Sequence, residues 1–180
     1  MTENPWKTLS QAVVYENQWI KVQEDQVIRP DGLDGIYGVV NFKNKAVGVL
    51  PIDEEGYTYL VGQFRYPLGA YSWEIPEGGC PQGEDTLDAA MRELKEETGL
   101  EAANYQVLGR AHLSNSVSDE EAIWYLATGL TLGASEPEGT EKLVVRRLAF
   151  FEAVEMVRQG EITDALSVLA INSHALALLK

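Results

Sequence analysis

The sequence predicts an α+β protein in which short strands surround a few helices. Two observations support this fold class. Most apolar runs are short and bounded by glycine, proline or aspartate, which is typical of strands, and only three segments have helical spacing. Because strands and helices do not alternate regularly, we expect a mixed α+β sandwich rather than an alternating parallel sheet. The 180 residues fit one domain, spanning 1–180, with a core large enough to need no disulfides.

The N-terminal part of the chain, residues 1–44, has a β-like pattern. Between Val13 and Asn41 short apolar runs are separated by the turn signal Arg29-Pro-Asp-Gly. This pattern predicts two or three strands that form an N-terminal antiparallel sheet. The remaining residues, 45–180, then form the main body of the domain.

The first part of that body contains three apolar runs and a loop. Ala46–Pro51 and Tyr57–Tyr66 are joined by Asp53-Glu-Glu-Gly, which predicts a β-hairpin. Tyr71–Pro76 predicts another short strand. The following segment, which begins at Glu77, is rich in glycine and proline and predicts a loop.

A helix is predicted from about Asp85 to Thr98. The residues at helical spacing form an apolar stripe of Leu87, Ala90, Met91 and Leu94. Asp85 or Thr86 can cap its start, and Gly99 stands where it would end. The later segments predict three strands and two helices, of which the last is capped by Asp164: Tyr105–Leu113, Ile123–Leu130, Leu143–Phe150, Phe151–Gln159 and Asp164–Leu179.

Charge and composition exclude several classes of function. A formal net charge of −14 would repel a nucleic-acid backbone, but a small phosphorylated substrate can bind if divalent cations supply positive charge. No apolar stretch is long enough to span a bilayer, and the one cysteine, Cys80, agrees with a reducing compartment. The sequence therefore predicts a cytoplasmic protein with neither a membrane nor a nucleic-acid partner. Because only His112 and His174 are present, carboxylates must carry any chemistry.

Three carboxylates crowd one face of the predicted helix, opposite its apolar stripe. Glu93, Glu96 and Glu97 stand three and four residues apart. Each such pair of like charges destabilises an isolated helix by roughly 0.2 to 0.5 kcal/mol. The spacing alone is compatible with a solvated acidic face or with a cation-binding face.

The surrounding residues distinguish these alternatives. Gly78-x5-Glu84-x7-Arg92-Glu93-Leu94-x-Glu96-Glu97-x-Gly99-Leu100 resembles the Nudix box at all nine of its defined positions. Such a match would arise by chance on the order of once in ten million chains of this length. The resemblance to the Nudix superfamily implies a mixed β-sheet flanked by helices, with residues 45–180 as the catalytic core. It also implies cleavage of a pyrophosphate with Mg²⁺ or Mn²⁺, which prefer oxygen ligands.

The resemblance assigns roles to individual residues. Glu93 and Glu97 are the principal side-chain metal ligands, and Glu96 is a further ligand or the base. The carbonyl of Glu77, before the box, is another ligand. We expect Gly78 and Gly79 to let the backbone turn sharply there and approach a metal closely. Arg92 and Glu84 hold the carboxylates in place, and Arg92 lies within reach of a salt bridge to Glu96.

Beyond the box, the chain resembles the branch of ADP-ribose pyrophosphatases and nucleoside diphosphate sugar hydrolases. Gln63-Phe-Arg-Tyr-Pro and Trp73-Glu-Ile-Pro-Glu-Gly-Gly carry this resemblance. It implies substrate contacts from Arg65, which can meet a phosphate with two hydrogen bonds, and from Glu74, which can orient a sugar hydroxyl or that arginine. Trp73 is a further candidate for substrate binding. Two acidic loops supply the remaining candidates. The first loop offers the substrate contacts Asp119 and Glu120, and the second offers Glu138 and Glu141 as a late metal ligand or base.

The substrate class follows from the same branch. The resemblance implies hydrolysis of ADP-ribose, GDP-mannose or a similar nucleotide sugar to a nucleoside monophosphate and a sugar phosphate. Asn115 stands where ADP-ribose pyrophosphatases tend to carry a proline, which leaves GDP-mannose open. The alternatives are hydrolysis of nucleoside triphosphates or dinucleoside polyphosphates, and a nucleotide-sugar sensor without turnover. The branch also implies a homodimer whose N-terminal strands lie in the interface, where Trp6 or Trp19 would stack on the base.

Overall fold

The computed structural model describes residues 3–133 and 143–179, which form ten strands and three helices. Their bounds in chain order are β1 (Lys7–Glu16), β2 (Ile20–Ile28), β3 (Asp34–Phe42), β4 (Lys45–Pro51), β5 (Tyr57–Arg65), β6 (Ala70–Glu74), β7 (Glu77–Cys80), α1 (Thr86–Thr98), β8 (Leu100–His112), β9 (Glu121–Leu132), β10 (Val144–Ala149), α2 (Phe150–Gln159) and α3 (Ala165–Ala177). The chain divides into two compact units. One unit comprises the residues to Asn44 with His112–Glu120, and the other comprises Lys45–Ala111 with the residues from Glu121.

The smaller unit contains a three-stranded antiparallel sheet in the order β1-β2-β3. The predicted N-terminal antiparallel sheet is therefore confirmed. Gly32, at φ 83°, closes the turn between β2 and β3, and its N–H donates to the carbonyl of Arg29. The strand β1 lies at the edge of this sheet, and all ten of its residues are exposed.

The larger unit contains two sheets. One has four strands in the order β7-β4-β9-β8, in which β4 runs parallel to β9 and antiparallel to β7. The other has three antiparallel strands in the order β10-β5-β6. The predicted α+β class with a mixed sheet is confirmed.

Helices cover both faces of the four-stranded sheet. Val47 and Val49 of β4 pack in one buried cluster with Leu94 of α1. Gly48 lies between these valines and therefore faces the opposite side. There a Cβ on Gly48 would come within 2.9 Å of Leu166, in the first turn of α3. The strand β4 is thus buried between two helices.

The predicted hairpin between β4 and β5 is wrong. The two strands lie in different sheets, and one isolated antiparallel bridge joins Ile52, just after β4, to Thr58. Both edges of β4 are already taken by β7 and β9, so β5 pairs instead with β6 and β10. The acidic turn signal after Pro51 marks the change of sheet.

The glycine-rich segment after Pro76 was predicted as a loop, and its first part is instead a strand. Glu77–Cys80 forms β7, with Glu77 opposite Gly48 and Cys80 opposite Lys45. Glycine and proline content suggested a turn, but these residues supply the backbone pairing that completes the edge of the sheet.

The helix α1 begins and ends as predicted. The Asp85 side chain accepts a hydrogen bond from the N–H of Leu87, and Gly99 ends the helix at φ 72°. The predicted stripe needs correction, because Met91 is 43% exposed while Ala89 is buried. Glu97 is only 8% exposed, so this carboxylate lies on the buried side of the helix rather than opposite it.

The later elements agree with the sequence pattern. The strands β9 and β10 and the helices α2 and α3 occupy the predicted segments, whereas β8 begins at Leu100 and not at Tyr105 as predicted. The Asp164 side chain accepts from the N–H of Ser167 to cap α3. Among the described residues, no helix is long and apolar enough to cross a membrane.

Candidate active site

Arg92 on α1 gathers three carboxylates, and we call this group the Arg92 cluster. Its guanidinium donates to Glu93 at 2.7 Å, to Glu96 at 3.1 Å and to Glu84 at 3.3 Å. The salt bridge to Glu96 that the spacing predicted is therefore present. The guanidinium also donates to the carbonyl of Gly79 at 3.0 Å, and this hydrogen bond joins α1 to β7. The hydrogen bond to Glu84, followed by those to Glu93 and Glu96, raises the pKa of Arg92 and keeps it charged.

Gly78 leaves the space that the Glu93 carboxylate occupies. A Cβ at Gly78 would overlap the carboxyl group of Glu93. The expected sharp turn at Gly78 and Gly79 is wrong, because both residues lie in the extended strand β7 and neither has a positive φ. The glycine is needed for close approach of a side chain to the strand, not for a turn.

Glu97 joins the helix to the residue before the box. Its Oε2 accepts a hydrogen bond from the backbone N–H of Glu77 at 3.0 Å. This bond places the start of β7 directly beside the carboxylates of α1. The predicted ligands Glu93, Glu96, Glu97 and the Glu77 backbone are thus brought together on α1 and the strand next to it.

A second arginine, Arg65 at the end of β5, organises another group, which we call the Arg65 cluster. Arg65 Nε lies 3.0 Å from Glu74, and its second guanidinium nitrogen also donates to Glu77 at 3.1 Å. Burial alone would lower the pKa of Arg65, but the hydrogen bonds and charges of Glu74 and Glu77 raise it. Glu74 therefore orients the arginine, one of its two predicted roles.

Asp164 is the third acid of the Arg65 cluster, and the sequence assigned it only a capping role. One carboxylate oxygen each from Glu74, Glu77 and Asp164 lie within 4.8 Å of one another. Burial, together with the charges of Asp164 and Glu74, raises the pKa of Glu77 well above its ordinary value. No local signal could have placed Asp164 here, because it reaches the cluster from the start of a distant helix.

Trp73 lies on the other face of the β10-β5-β6 sheet from Arg65 and Glu74. It stands beside Glu74 in β6, and neighbouring strand residues point to opposite faces. Its ring lies against Gly62 and meets Tyr71 edge-on at 5.6 Å. The structure therefore does not bring Trp73 together with the two clusters, and its substrate role stays a prediction.

The remaining candidates lie elsewhere in the chain. Asp119 belongs to the smaller unit, where its carboxylate accepts hydrogen bonds from the N–H of Phe42 and the side chain of Asn41. The carbonyl of Glu120 accepts from the N–H of Leu113. Two further candidates, Glu138 and Glu141, lie outside the described residues.

The residues present fit a hard divalent cation. The donors around α1 are carboxylate oxygens, and one arginine faces three carboxylates in the Arg92 cluster, so negative charge remains to attract a cation. The space beside Gly78 also allows Glu93 to lie directly against the strand that carries the Glu77 carbonyl. The arrangement can therefore hold a divalent metal ion beside β7.

Comparison with family models gives two matches. The NUDIX domain model matches residues 42–166, and the model for the nucleoside diphosphate sugar hydrolase N-terminal domain matches residues 6–40. The first match covers the described residues of both clusters. The second covers β1, β2 and most of β3.

Individual proteins are similar over most of the chain. The ADP-ribose pyrophosphatase of Mycobacterium tuberculosis is 31% identical, over 95% of this chain and 84% of that protein. The methanol dehydrogenase activator of Bacillus methanolicus is also 31% identical, over 92% of this chain and 90% of that protein. The crystal structure of an ADP compounds hydrolase superposes with a TM-score of 0.88 at 20% identity, covering 99% of this chain and 97% of that one. That last similarity shows the fold alone.

Proposed function

The chain belongs to the NUDIX domain family, and from that premise we propose that it hydrolyses the pyrophosphate bond of nucleoside diphosphate sugars, with ADP-sugars foremost. The observation that carries this proposal is the set of box carboxylates on α1, placed beside β7 by Arg92 and by the glycine at 78. The two family-model matches confirm, at the level of the family, the resemblance predicted from the box and from the residues before it.

We propose Mg²⁺ as the cofactor, with Mn²⁺ as a substitute. Glu93, Glu96 and Glu97 would hold it with the carbonyl of Glu77. When bound, it supplies the positive charge that neutralises two phosphates and lowers the pKa of the attacking water. A divalent cation also explains how a chain with a net charge of −14 binds an anionic substrate.

The protein residues position the reactants and manage one proton. A water molecule attacks one phosphorus, the bond from that phosphorus to the bridging oxygen breaks, and the bridging oxygen leaves with the other phosphate. The proton of the water passes to a carboxylate, for which we propose Glu141 or Glu138, with Glu96 as the alternative. Arg92 keeps the carboxylates of Glu93 and Glu96 fixed throughout, so they need not reorganise during the reaction.

Two findings support nucleotide sugars over other Nudix substrates. The N-terminal match is to a domain of nucleoside diphosphate sugar hydrolases, and a relative that aligns with nearly the whole chain is called an ADP-ribose pyrophosphatase. We therefore propose ADP-ribose first and GDP-mannose second. Arg65 would orient the substrate through its remaining guanidinium nitrogen, because Nε and the other nitrogen already contact Glu74 and Glu77. The cytoplasmic location stays a prediction.

The substrate experiment measures product formation with Mg²⁺ across a panel. The panel contains ADP-ribose, GDP-mannose, UDP-glucose, ATP and diadenosine tetraphosphate, with EDTA as the control and products separated by chromatography. We expect AMP and ribose 5-phosphate from ADP-ribose, and none with EDTA. Preferential cleavage of ATP or the dinucleotide would favour the second enzymatic hypothesis. Tight binding with no nucleoside monophosphate from any substrate would contradict hydrolysis and favour a sensor.

We also propose that the protein is a homodimer that associates through β1. This strand lies at the edge of its sheet, and its exposed side chains include Val13, Val14 and Tyr15, each more than half exposed. An exposed apolar edge strand is a ready template for pairing with another chain. Trp19 is 60% exposed and so is not a core residue, which agrees with its predicted role of stacking on the base of the substrate.

Light scattering tests the proposed dimer. A Val14→Lys variant should shift the mass from that of two chains to that of one, because it places a charge on the apolar surface of β1. Val14→Ile, which keeps the apolar surface at the same position, is the matched control and should retain the dimer. A monomeric wild-type protein, or equal behaviour of both variants, would contradict the proposal.

A further inference from the structure

The first turn of α3 contacts the segment that leads into the active site. Ser167 is fully buried, and its Oγ accepts a hydrogen bond from the backbone N–H of Ile75 at 2.9 Å. Ile75 lies between β6 and β7, next to a proline that has no N–H of its own. The helix thus supplies the partner for a buried backbone donor that would otherwise be left unsatisfied.

The position of Ser167 is itself fixed. Its backbone N–H donates to the Asp164 carboxylate at 2.7 Å, and that carboxylate belongs to the Arg65 cluster. Leu166 packs beside it against Gly48, where Ile75 also makes contact. The helix start therefore meets the segment by a hydrogen bond, by apolar packing and through the acidic group at Asp164.

Three consecutive residues of the segment are held by three different elements. Ile75 donates to α3, the carbonyl of Pro76 accepts from Val49 of β4 at 2.8 Å, and the N–H of Glu77 donates to Glu97 of α1 at 3.0 Å. A displacement at Ile75 would reach the hydrogen bond between Glu77 and Glu97 within two residues.

We propose that Ser167 is a positioning residue for the metal ligands Glu77 and Glu97. It contacts neither substrate nor metal, and acts through the backbone of Ile75 to fix the Glu77 peptide against Glu97. This inference rests on the proposed metal-dependent hydrolysis. It implies that α3, which lies far along the sequence from the box, also influences metal affinity.

The test measures Mn²⁺ binding without substrate, by electron paramagnetic resonance, in folded variants. Ser167→Ala removes the acceptor for the Ile75 N–H, and we expect Mn²⁺ affinity to fall about tenfold, as for other groups that orient metal ligands. Ser167→Cys nearly keeps the volume but accepts hydrogen bonds poorly, so its Mn²⁺ affinity should fall as in Ser167→Ala. Ser167→Thr keeps a hydroxyl and should largely restore binding. Ser173→Ala, on the same helix, is the matched control and should bind as wild type.

The outcomes separate this inference from the proposed function. The inference predicts that Ser167→Ala lowers kcat at saturating Mg²⁺ less than at limiting Mg²⁺, because added metal compensates for misplaced ligands. Lowered thermal stability with unchanged Mn²⁺ affinity and kcat would make Ser167 merely structural and overturn the inference. Wild-type protein that binds Mn²⁺ but releases no nucleoside monophosphate would instead contradict the proposed hydrolysis.

Discussion

The two arginine clusters of the larger unit differ in how the chain assembles them. Around Arg92, two of the three carboxylates come from α1 itself, and they remain partly exposed beside the helix. Around Arg65, the carboxylates come from β6, β7 and the start of α3, and Glu74 is almost completely buried. The first cluster can therefore reach a solvated cation, whereas the second joins β5 and β6 to β7, the strand that carries the proposed ligand Glu77. Glu97 connects them, since it lies on α1 and accepts from Glu77.

The largest expected effect comes from removing the charge of that connecting residue. Glu97→Gln keeps an oxygen that accepts from the Glu77 N–H but deletes a proposed metal ligand. We expect kcat/KM for ADP-ribose to fall at least about 100-fold, with the fold retained. Glu101→Gln, just beyond the helix, is the control and should stay near wild type. A Glu97→Gln variant with full activity would show that the metal lies elsewhere.

A second substitution tests the different roles of the arginines in stability. Arg65→Lys replaces a planar fork by a point charge and leaves an oxygen of buried Glu74 without its donor. We expect the unfolding free energy of the metal-free protein to fall by about 1 to 3 kcal/mol, measured by urea denaturation. Arg92→Lys should cost less, because water still reaches Glu84 and Glu96.

Arg110→Lys is the control for the general effect of exchanging an arginine for a lysine. Arg110 is exposed and lies 4.0 Å from its ion-pair partner Glu121, so it loses little by this exchange. Arg110→Lys should leave stability unchanged. Equal losses from Arg65→Lys and Arg92→Lys would contradict the division into a stabilising and a metal-facing cluster.

How well each cluster could be predicted from sequence follows from the same difference. The Arg92 cluster depends on helical spacing and a single motif, so its carboxylates and the Arg92–Glu96 bridge were predictable. Asp164 was recognised as a helix cap, but its approach to Glu77 depends on how α3 packs against β4, which no local pattern encodes. The wrong β4–β5 hairpin has the same cause. Sequence proximity suggested pairing, while the neighbours β7 and β9 had already taken both edges of β4.

A third substitution tests how closely the Arg92 cluster must approach the strand. Gly78→Ala adds a Cβ that would overlap the Glu93 carboxyl group, so Glu93 must move away from β7. We expect about tenfold weaker Mn²⁺ binding in a titration without substrate. Gly38→Ala, where a Cβ would meet nothing within 4 Å, is the matched control. Unchanged binding by Gly78→Ala would show that the position of Glu93 does not determine metal affinity.

The smallest expected effect concerns the pH dependence of stability, to which Glu77 and His174 contribute with opposite signs. The pKa of Glu77 is raised, so its ionisation destabilises the fold as pH rises above the ordinary value of 4.5. His174 packs edge-on against Phe150 at 4.8 Å, and burial lowers its pKa. Its neutral form favours the fold, and that contribution is present above the ordinary value of 6.5 and is lost as pH falls.

A His174→Gln variant separates these contributions, because glutamine does not titrate. Between pH 8 and pH 5 the metal-free wild type should lose more stability than the variant, by less than about 0.5 kcal/mol, since His174 is only partly buried. Thermal unfolding at each pH measures the difference in slope, which removes any constant loss of packing against Phe150. A slope that is identical in wild type and His174→Gln would show that His174 does not contribute to the acid-side dependence of stability.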